Sequence, residues 1–291
     1  MNCIEATGLR KQYGKKIAVD GIDLGIGTGR IVGLIGPNGA GKTTTLDAIL
    51  GLIPFEGSLK VMGCDPWRER ERLMREVSFI ADVAVLPRWL KVRNALDYVQ
   101  GVHPRFDRLK AERFLARTDI PMKAKVGQLS KGMVAQLHLA LVMAIDARLL
   151  VLDEPTLGLD ILYRRAFYTS LLNDYFDQER TILVTTHQVE EVQDILTDVI
   201  FIDHGRIILS ATMDDIEARY VELMPRLETV DAARKLGPVT EYAVFGRPVM
   251  LFDGVAREHL APMGEIRRPG IADLFVMMMG RDRYEAPGEA A

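Results

Sequence analysis

The chain has 291 residues, 48% hydrophobic and 26% charged, with a net charge of −3. That balance suits a globular protein of about two domains with a sizeable core, and it gives no electrostatic case for a nucleic-acid partner. Cys3 and Cys64 lack metal-ligand spacing and read as ordinary thiols of a reducing compartment, and the longest apolar run, "LALVMAI", is well short of the about 20 residues a membrane-spanning helix needs.

The opening "MNCIEATGLRKQYGKK" lacks the apolar core of a secretory signal. Residues 1–29 read as short strands joined by Gly-rich turns, with Ile22, Leu24 and Ile26 alternating as in a half-buried strand. "RIVGLIG" reads as a fully buried strand. It opens into a Gly-rich loop and then a helix with Leu46, Ile49 and Leu50 at helical spacing. "VSFIAD" is a further short strand, and residues 92–146 read as mostly helical. "LLVL" and "TILVTTH" are buried strands on either side of a helix around residues 163–176. "VIFIDHGRIIL" reads as a hairpin turning at "DHGR". Beyond about residue 215 the pattern changes. "ETVDAARKLG" is helical, "EYAVFGRPVMLF" is a second hairpin, "GIADLFVMMMG" is a short apolar helix, and residues 281–291 have a disordered composition.

Chemistry concentrates at three strand ends. "GPNGAGKT", which is Gly36, Pro37, Asn38, Gly39, Ala40, Gly41, Lys42 and Thr43, fits G-x-x-x-x-G-K-[ST] between a buried strand and a helix, with Thr44 next. Such a loop turns successive backbone N–H groups toward an anion, and the new helix adds the positive end of its dipole. Lys42 is expected to reach the β- and γ-phosphates of a nucleotide, and Thr43 to ligate Mg²⁺. The second strand end is Asp153-Glu154. Two adjacent carboxylates there call for a cation, because an unpaired buried charge costs several kcal/mol. Asp153 is the expected second Mg²⁺ contact, and Glu154 the group that polarises the attacking water. The third is His187, placed to hydrogen-bond the γ-phosphate and orient that water. Ligands of open parallel sheets bind beyond such carboxyl ends. His138 lies in an apolar helix and reads as a packing residue; His103, His204 and His259 read as loop or surface residues.

With "LSKGM", residues 129–133, ahead of the acidic pair, the chain resembles the nucleotide-binding subunit of an ATP-binding cassette (ABC) transporter. The order of phosphate loop, signature, acidic strand end, "LGLD" loop and histidine fits that family over roughly residues 1–215. The resemblance implies that Tyr13 stacks on adenine and that Ser130 and Gly132 close over the γ-phosphate held by a partner subunit. It implies that Asp160 acts across that interface, and that two copies, or a copy and a related ATPase, pack head to tail around ATP. Lys131 and Met133 depart from the family's Gly and Gln. Asp82 stands where the family has a metal-contacting Gln, and so is expected as a further Mg²⁺ ligand.

The expected fold is α/β: a P-loop NTPase cassette with a mixed parallel sheet core, an antiparallel β subdomain and a helical subdomain, plus a small C-terminal α+β appendage. The expected division is an ATPase domain over 1–215, with its helical subdomain at about 83–146, a small α+β domain over 216–280 and a tail over 281–291. The expected function is an ATP-hydrolysing subunit at the cytoplasmic face of the membrane. It would power a separate integral-membrane permease, for export, through a surface between about Asp82 and Arg117. Two alternatives are a soluble ATPase of the same group and a regulatory binding module that has lost hydrolysis. The stretch between Gly41 and Gly127 holds no sustained heptads, which speaks against the coiled-coil DNA-repair members.

Overall fold

The computed structural model describes residues 2–80, 86–157 and 159–280. They form two compact units, one of the chain up to His187 with Ile195–Ile207, the other of Gln188–Asp194 with the chain from Ile208 onward.

In chain order the first unit holds β1 (Asn2–Tyr13), β2 (Lys16–Gly27), β3 (Ile31–Ile35), α1 (Lys42–Ile49), β4 (Glu56–Val61), α2 (Arg70–Met74), β5 (Val77–Ile80), α3 (Val92–Val102), α4 (Arg108–Leu115), α5 (Lys131–Met143), β6 (Leu149–Asp153), α6 (Ile161–Ser170), β7 (Thr181–Thr186) and β8 (Asp198–Asp203). The next strand, β9 (Arg206–Thr212), begins in this unit. A six-stranded sheet runs β5-β6-β7-β3-β8-β9, and a separate antiparallel sheet runs β2-β1-β4. The pairs β5–β6, β6–β7, β7–β3 and β3–β8 are all parallel.

The central strands explain themselves. Every residue of β3, β6 and β7 is buried, as continuous Ile, Leu and Val runs require when both faces of a parallel sheet are covered. Each such side chain contributes about 1.5–3 kcal/mol on burial. One core joins Ile4, Leu24, Leu34, Leu46, Ile49 and Val151, so α1 is wedged between the two sheets. A second core joins Leu96, Leu115, Leu137 and Leu141 of α3, α4 and α5. His138 is buried in α5, and desolvation holds its imidazole below the usual histidine range.

Three local readings differ from expectation. The first strands are long, not short: β1 and β2 have 12 residues each, and register shifts along their pairing bend them through their glycines. The helical region is broken at residues 103–107 and 116–130, where Pro104 and Pro121 cannot donate. Asp107 restarts the chain by capping α4 through Lys110 N–H at 3.0 Å. The helix after β6 starts at Ile161 and ends in a π turn over Leu171–Tyr175. The hairpin at "DHGR" forms as read: His204 and Gly205 both take positive φ, 45° and 77°, as a type I′ turn demands.

The second unit contains α7 (Met213–Arg219), β10 (Tyr220–Pro225), α8 (Val230–Arg234), β11 (Thr240–Val244), β12 (Arg247–Asp253), α9 (Arg257–Leu260), β13 (Gly264–Arg267) and α10 (Ile271–Gly280). Its antiparallel sheet runs β11-β12-β10-β13 over a core of Val221, Leu223, Met250, Phe252 and Leu260. The boundary falls at Ile207, ahead of the residue 215 expected from the sequence. No linker marks it, because Thr212 ends β9 and at once caps α7.

Candidate functional site

Strand register builds the site. Pairing sets Asp153 of β6 beside Thr185 of β7, and Thr186 beside Ile35 of β3. The three strand ends singled out in the sequence are therefore neighbours. The chain leaves β3 at Gly36, where a Cβ would lie 2.3 Å from the Ile202 carbonyl oxygen. It enters α1 after Gly41, at φ 109°, where a Cβ would lie 2.4 Å from the Ala18 oxygen. Only glycine fits either place.

A cavity of about 270 Å³ opens over this loop. Pro37, Asn38, Gly39, Gly41, Lys42, Thr43 and Thr44 line it, with Tyr13, Lys16, Ala18 and Glu154. Gly36 and Ala40 support the loop from the buried side. Tyr13 is half-exposed at the rim, with Lys11 Nζ 5.0 Å from its ring centroid.

The charges converge. Buried Lys42 donates from Nζ to the carbonyls of Gly36, at 2.6 Å, and Pro37, at 3.2 Å, and lies 3.7 Å from Glu154 Oε1. Burial pushes its ammonium below the usual lysine range, while Glu154 and Asp153 pull it back up. Asp153 is buried, and each of its oxygens has a hydroxyl: Thr185 Oγ1 donates to Oδ1, and Thr43 Oγ1 to Oδ2 at 3.1 Å. Glu154 takes a left-handed backbone, φ 47°, and its N–H is shared between the Thr185 carbonyl and Oγ1, 3.2 Å each. Its carboxylate oxygens both lie 2.9 Å from His187 Nδ1. An ionised carboxylate only accepts, so Nδ1 is the donor.

Ser130, Gly132 and Asp160 are not among the residues that line this cavity. Ser130 caps α5, accepting from Met133 N–H at 3.2 Å, with Gly132 in the first turn; neither lines the cavity. Asp160 caps α6, accepting from the N–H groups of Leu162 and Tyr163 at 3.0 and 3.1 Å. Asp82 lies outside the described residues. Sequence reasoning missed three residues. Thr185 carried a signal in the hydroxyl pair of "VTTH", and Asp47 one in its i+4 spacing from Thr43. Burial and the charge of Asp153 hold the Asp47 carboxyl above the usual range. Lys16 offered no signal beyond lying near Tyr13.

A glycine-cradled anion loop at the carboxyl ends of parallel strands, beside an acidic pair, defines a phosphate-loop nucleotide-binding α/β protein. The family model for the ABC transporter matches residues 19–157. The daunorubicin resistance ATP-binding protein DrrA3 of Streptomyces coeruleorubidus is 32% identical over 310 aligned positions, covering 96% of each chain. The Nod factor export ATP-binding protein I of Sinorhizobium fredii (strain NBRC 101917 / NGR234) is 36% identical over 217 residues, 70% of this chain and 61% of that protein. A solved structure of an ATP binding subunit of an ABC transporter superposes with a TM-score of 0.67 at 25% identity, over 74% of this chain and 92% of that one. The chain belongs to the ABC transporter ATP-binding family; it is an ATP-binding subunit and an ATPase. Among the described residues no helix is long and apolar enough to cross a membrane.

Proposed function

We propose that this subunit hydrolyses ATP between two head-to-tail copies, at the cytoplasmic face of a membrane, to drive a separate membrane-spanning exporter. The observation that carries the catalytic part is the meeting of Glu154, His187 and Lys42 over one phosphate loop. Export is supported by relatives named for drug resistance and Nod factor export.

The chemistry follows from the charges. Lys42, held against the loop carbonyls, exchanges them for β- and γ-phosphate oxygens. Glu154 accepts a proton from a water in line with the γ-phosphate, and His187 fixes the carboxylate's direction. Tyr13 offers its ring face to adenine. Ser130 and Gly132 present a helix N-terminus to the γ-phosphate bound by the other copy, and Asp160 lies on the same interface.

Thr43 and Asp153 would hold Mg²⁺. The donor set fits a hard cation that takes one carboxylate, a hydroxyl, phosphate oxygens and waters, since among the described residues the hydrogen bonds to the Asp153 oxygens come from two hydroxyls. When bound, Mg²⁺ would offset charge on the phosphate oxygens.

Two measurements test this reading. Affinity purification from solubilised membranes should recover an integral membrane protein, and the purified subunit should release phosphate from ATP. Recovery of ribosomal or DNA-bound partners in place of a membrane protein would overturn the transport role. Nucleotide binding with no phosphate release, alone or with the membrane partner, would overturn the catalytic one.

A further inference from the structure

One hydroxyl serves both members of the acidic pair. Thr185 Oγ1 donates to Asp153 Oδ1 and accepts the Glu154 N–H at 3.2 Å. The side chain is fully buried in a central strand, and the register that pairs Asp153 with Thr185 leaves no freedom to slide. Its effect on Asp153 is directional. With Oδ1 engaged, the carboxylate plane is fixed and Oδ2 is turned to Thr43, the other proposed metal contact. Its effect on Glu154 is conformational. A left-handed backbone is unfavourable for glutamate, and the N–H bond to Thr185 holds it there while His187 fixes the far end of the side chain.

We infer that Thr185 is a positioning residue for the hydrolytic site, orienting the Asp153 carboxylate for Mg²⁺ and the Glu154 backbone for its base role through a single hydroxyl. This rests on the proposed roles of Asp153 and Glu154. Valine at this place keeps shape and strand preference but neither donates nor accepts. Serine keeps the hydroxyl and loses a methyl. A packing role and a positioning role therefore order the two variants oppositely.

The experiment compares the parent, Thr185→Val, Thr185→Ser and Asp153→Asn. Mg²⁺ is titrated at a fixed nucleotide concentration, reading binding of a fluorescent ATP analogue and, separately, phosphate release from ATP. Nucleotide affinity without Mg²⁺ and thermal melting are measured alongside. Loss of such a supporting hydrogen bond should raise the half-saturating Mg²⁺ for Thr185→Val roughly 10- to 100-fold. Metal-free nucleotide affinity should be unchanged, because Lys42 and the loop are intact. A kcat deficit should persist at saturating Mg²⁺, because the Glu154 N–H keeps the Thr185 carbonyl but loses the hydroxyl, and Thr185→Ser should restore both. Should Thr185→Val not fold, Thr185→Ala takes its place. Mg²⁺ curves for Thr185→Val that superimpose on the parent's, with Asp153→Asn displaced, overturn the inference and leave the metal assignment standing. A serine variant as impaired as valine also overturns it. If Asp153→Asn itself keeps the parent's curve, the metal assignment falls and the inference with it.

Discussion

Glu154 and His187 face each other across neighbouring strands, both carboxylate oxygens 2.9 Å from Nδ1. A base so oriented predicts the behaviour of its amide. Glu154→Gln keeps the shape, cannot take a proton, and should lower turnover by about 10²- to 10⁴-fold while nucleotide still binds. ATP-bound dimer should then accumulate. Phosphate release and size exclusion with ATP check both effects, and turnover near the parent's would remove Glu154 from the mechanism.

The same residue carries backbone strain that can be measured apart from catalysis. Glu154→Ala and Glu154→Gly both lose the carboxylate, but only glycine relieves φ 47°. The glycine variant should be the more stable by about 1 kcal/mol in urea unfolding, the order of the left-handed cost for a residue with a Cβ. Equal stability, or a less stable glycine variant, would mean that the backbone there is unstrained.

How far the sequence carried depended on how local the determinant was. The phosphate loop, Asp153 and His187 were legible because each ends or follows a short, fully buried strand, and burial forces such strands side by side. Thr185 left only the hydroxyl pair of "VTTH" as a trace, because its importance comes from cross-strand register, which that local pattern does not specify. The long first hairpin was misjudged because its glycines, read as turns, are sites where β1 and β2 bend without ending. The boundary at Ile207 was hidden by a strand that runs straight into a capped helix.

Lys42 gives a prediction with a definite sign. In the unfolded chain its pKa is near 10.5; in the folded site burial lowers it. Between the two values the unfolded state binds the extra proton, so this lysine's contribution to stability rises with pH through that window. Nucleotide affinity should move the other way, since the neutral amine cannot pair with phosphate. Lys42→Ala should weaken ATP binding by about 2 kcal/mol and flatten that alkaline decline. Titrating ATP at neutral and alkaline pH tests this, and an unchanged decline in the variant would assign it to another group.

Glu222 predicts the opposite slope in the second unit. Its carboxyl is buried on β10, and burial, then Asp273 of α10, raise its pKa against the pull of Arg267 and a hydrogen bond with Tyr242. Partial desolvation and the neighbouring charges of Glu222 and Asp273 push the Tyr242 hydroxyl up to about 12. Above the ordinary value of 4.5 the native state keeps a proton that the unfolded state has lost. Stability of this unit should therefore fall as pH rises from 4.5 through the raised value. Glu222→Gln keeps the shape without the charge. It should melt higher than the parent at neutral pH and match it below pH 4.5, and a constant offset across the range would show that the carboxyl's ionisation is irrelevant.

The last prediction concerns α10 and the residues that follow His187. The turn Val189–Glu191 belongs to the second unit and packs with α10 there. Val189, Val192 and Leu274 are all buried. His187 is thus followed, one residue on, by a segment held in the packing of the second unit. Loosening that packing should loosen the chain just after His187, and so the direction it gives the Glu154 carboxylate. Leu274→Ala removes buried methyl groups, a change that costs about 2–5 kcal/mol where the site cannot collapse. Its expected signature is a several-fold lower kcat with ATP affinity kept, because the phosphate loop and Tyr13 belong to the first unit. Val276→Ala, on the exposed face of the same helix, should leave kcat at the parent's value. Steady-state kinetics on both variants, with melting curves to confirm that Leu274→Ala is folded and destabilised, decide the matter. A parent-like kcat in the destabilised variant would make the second unit a passive extension whose packing does not reach His187.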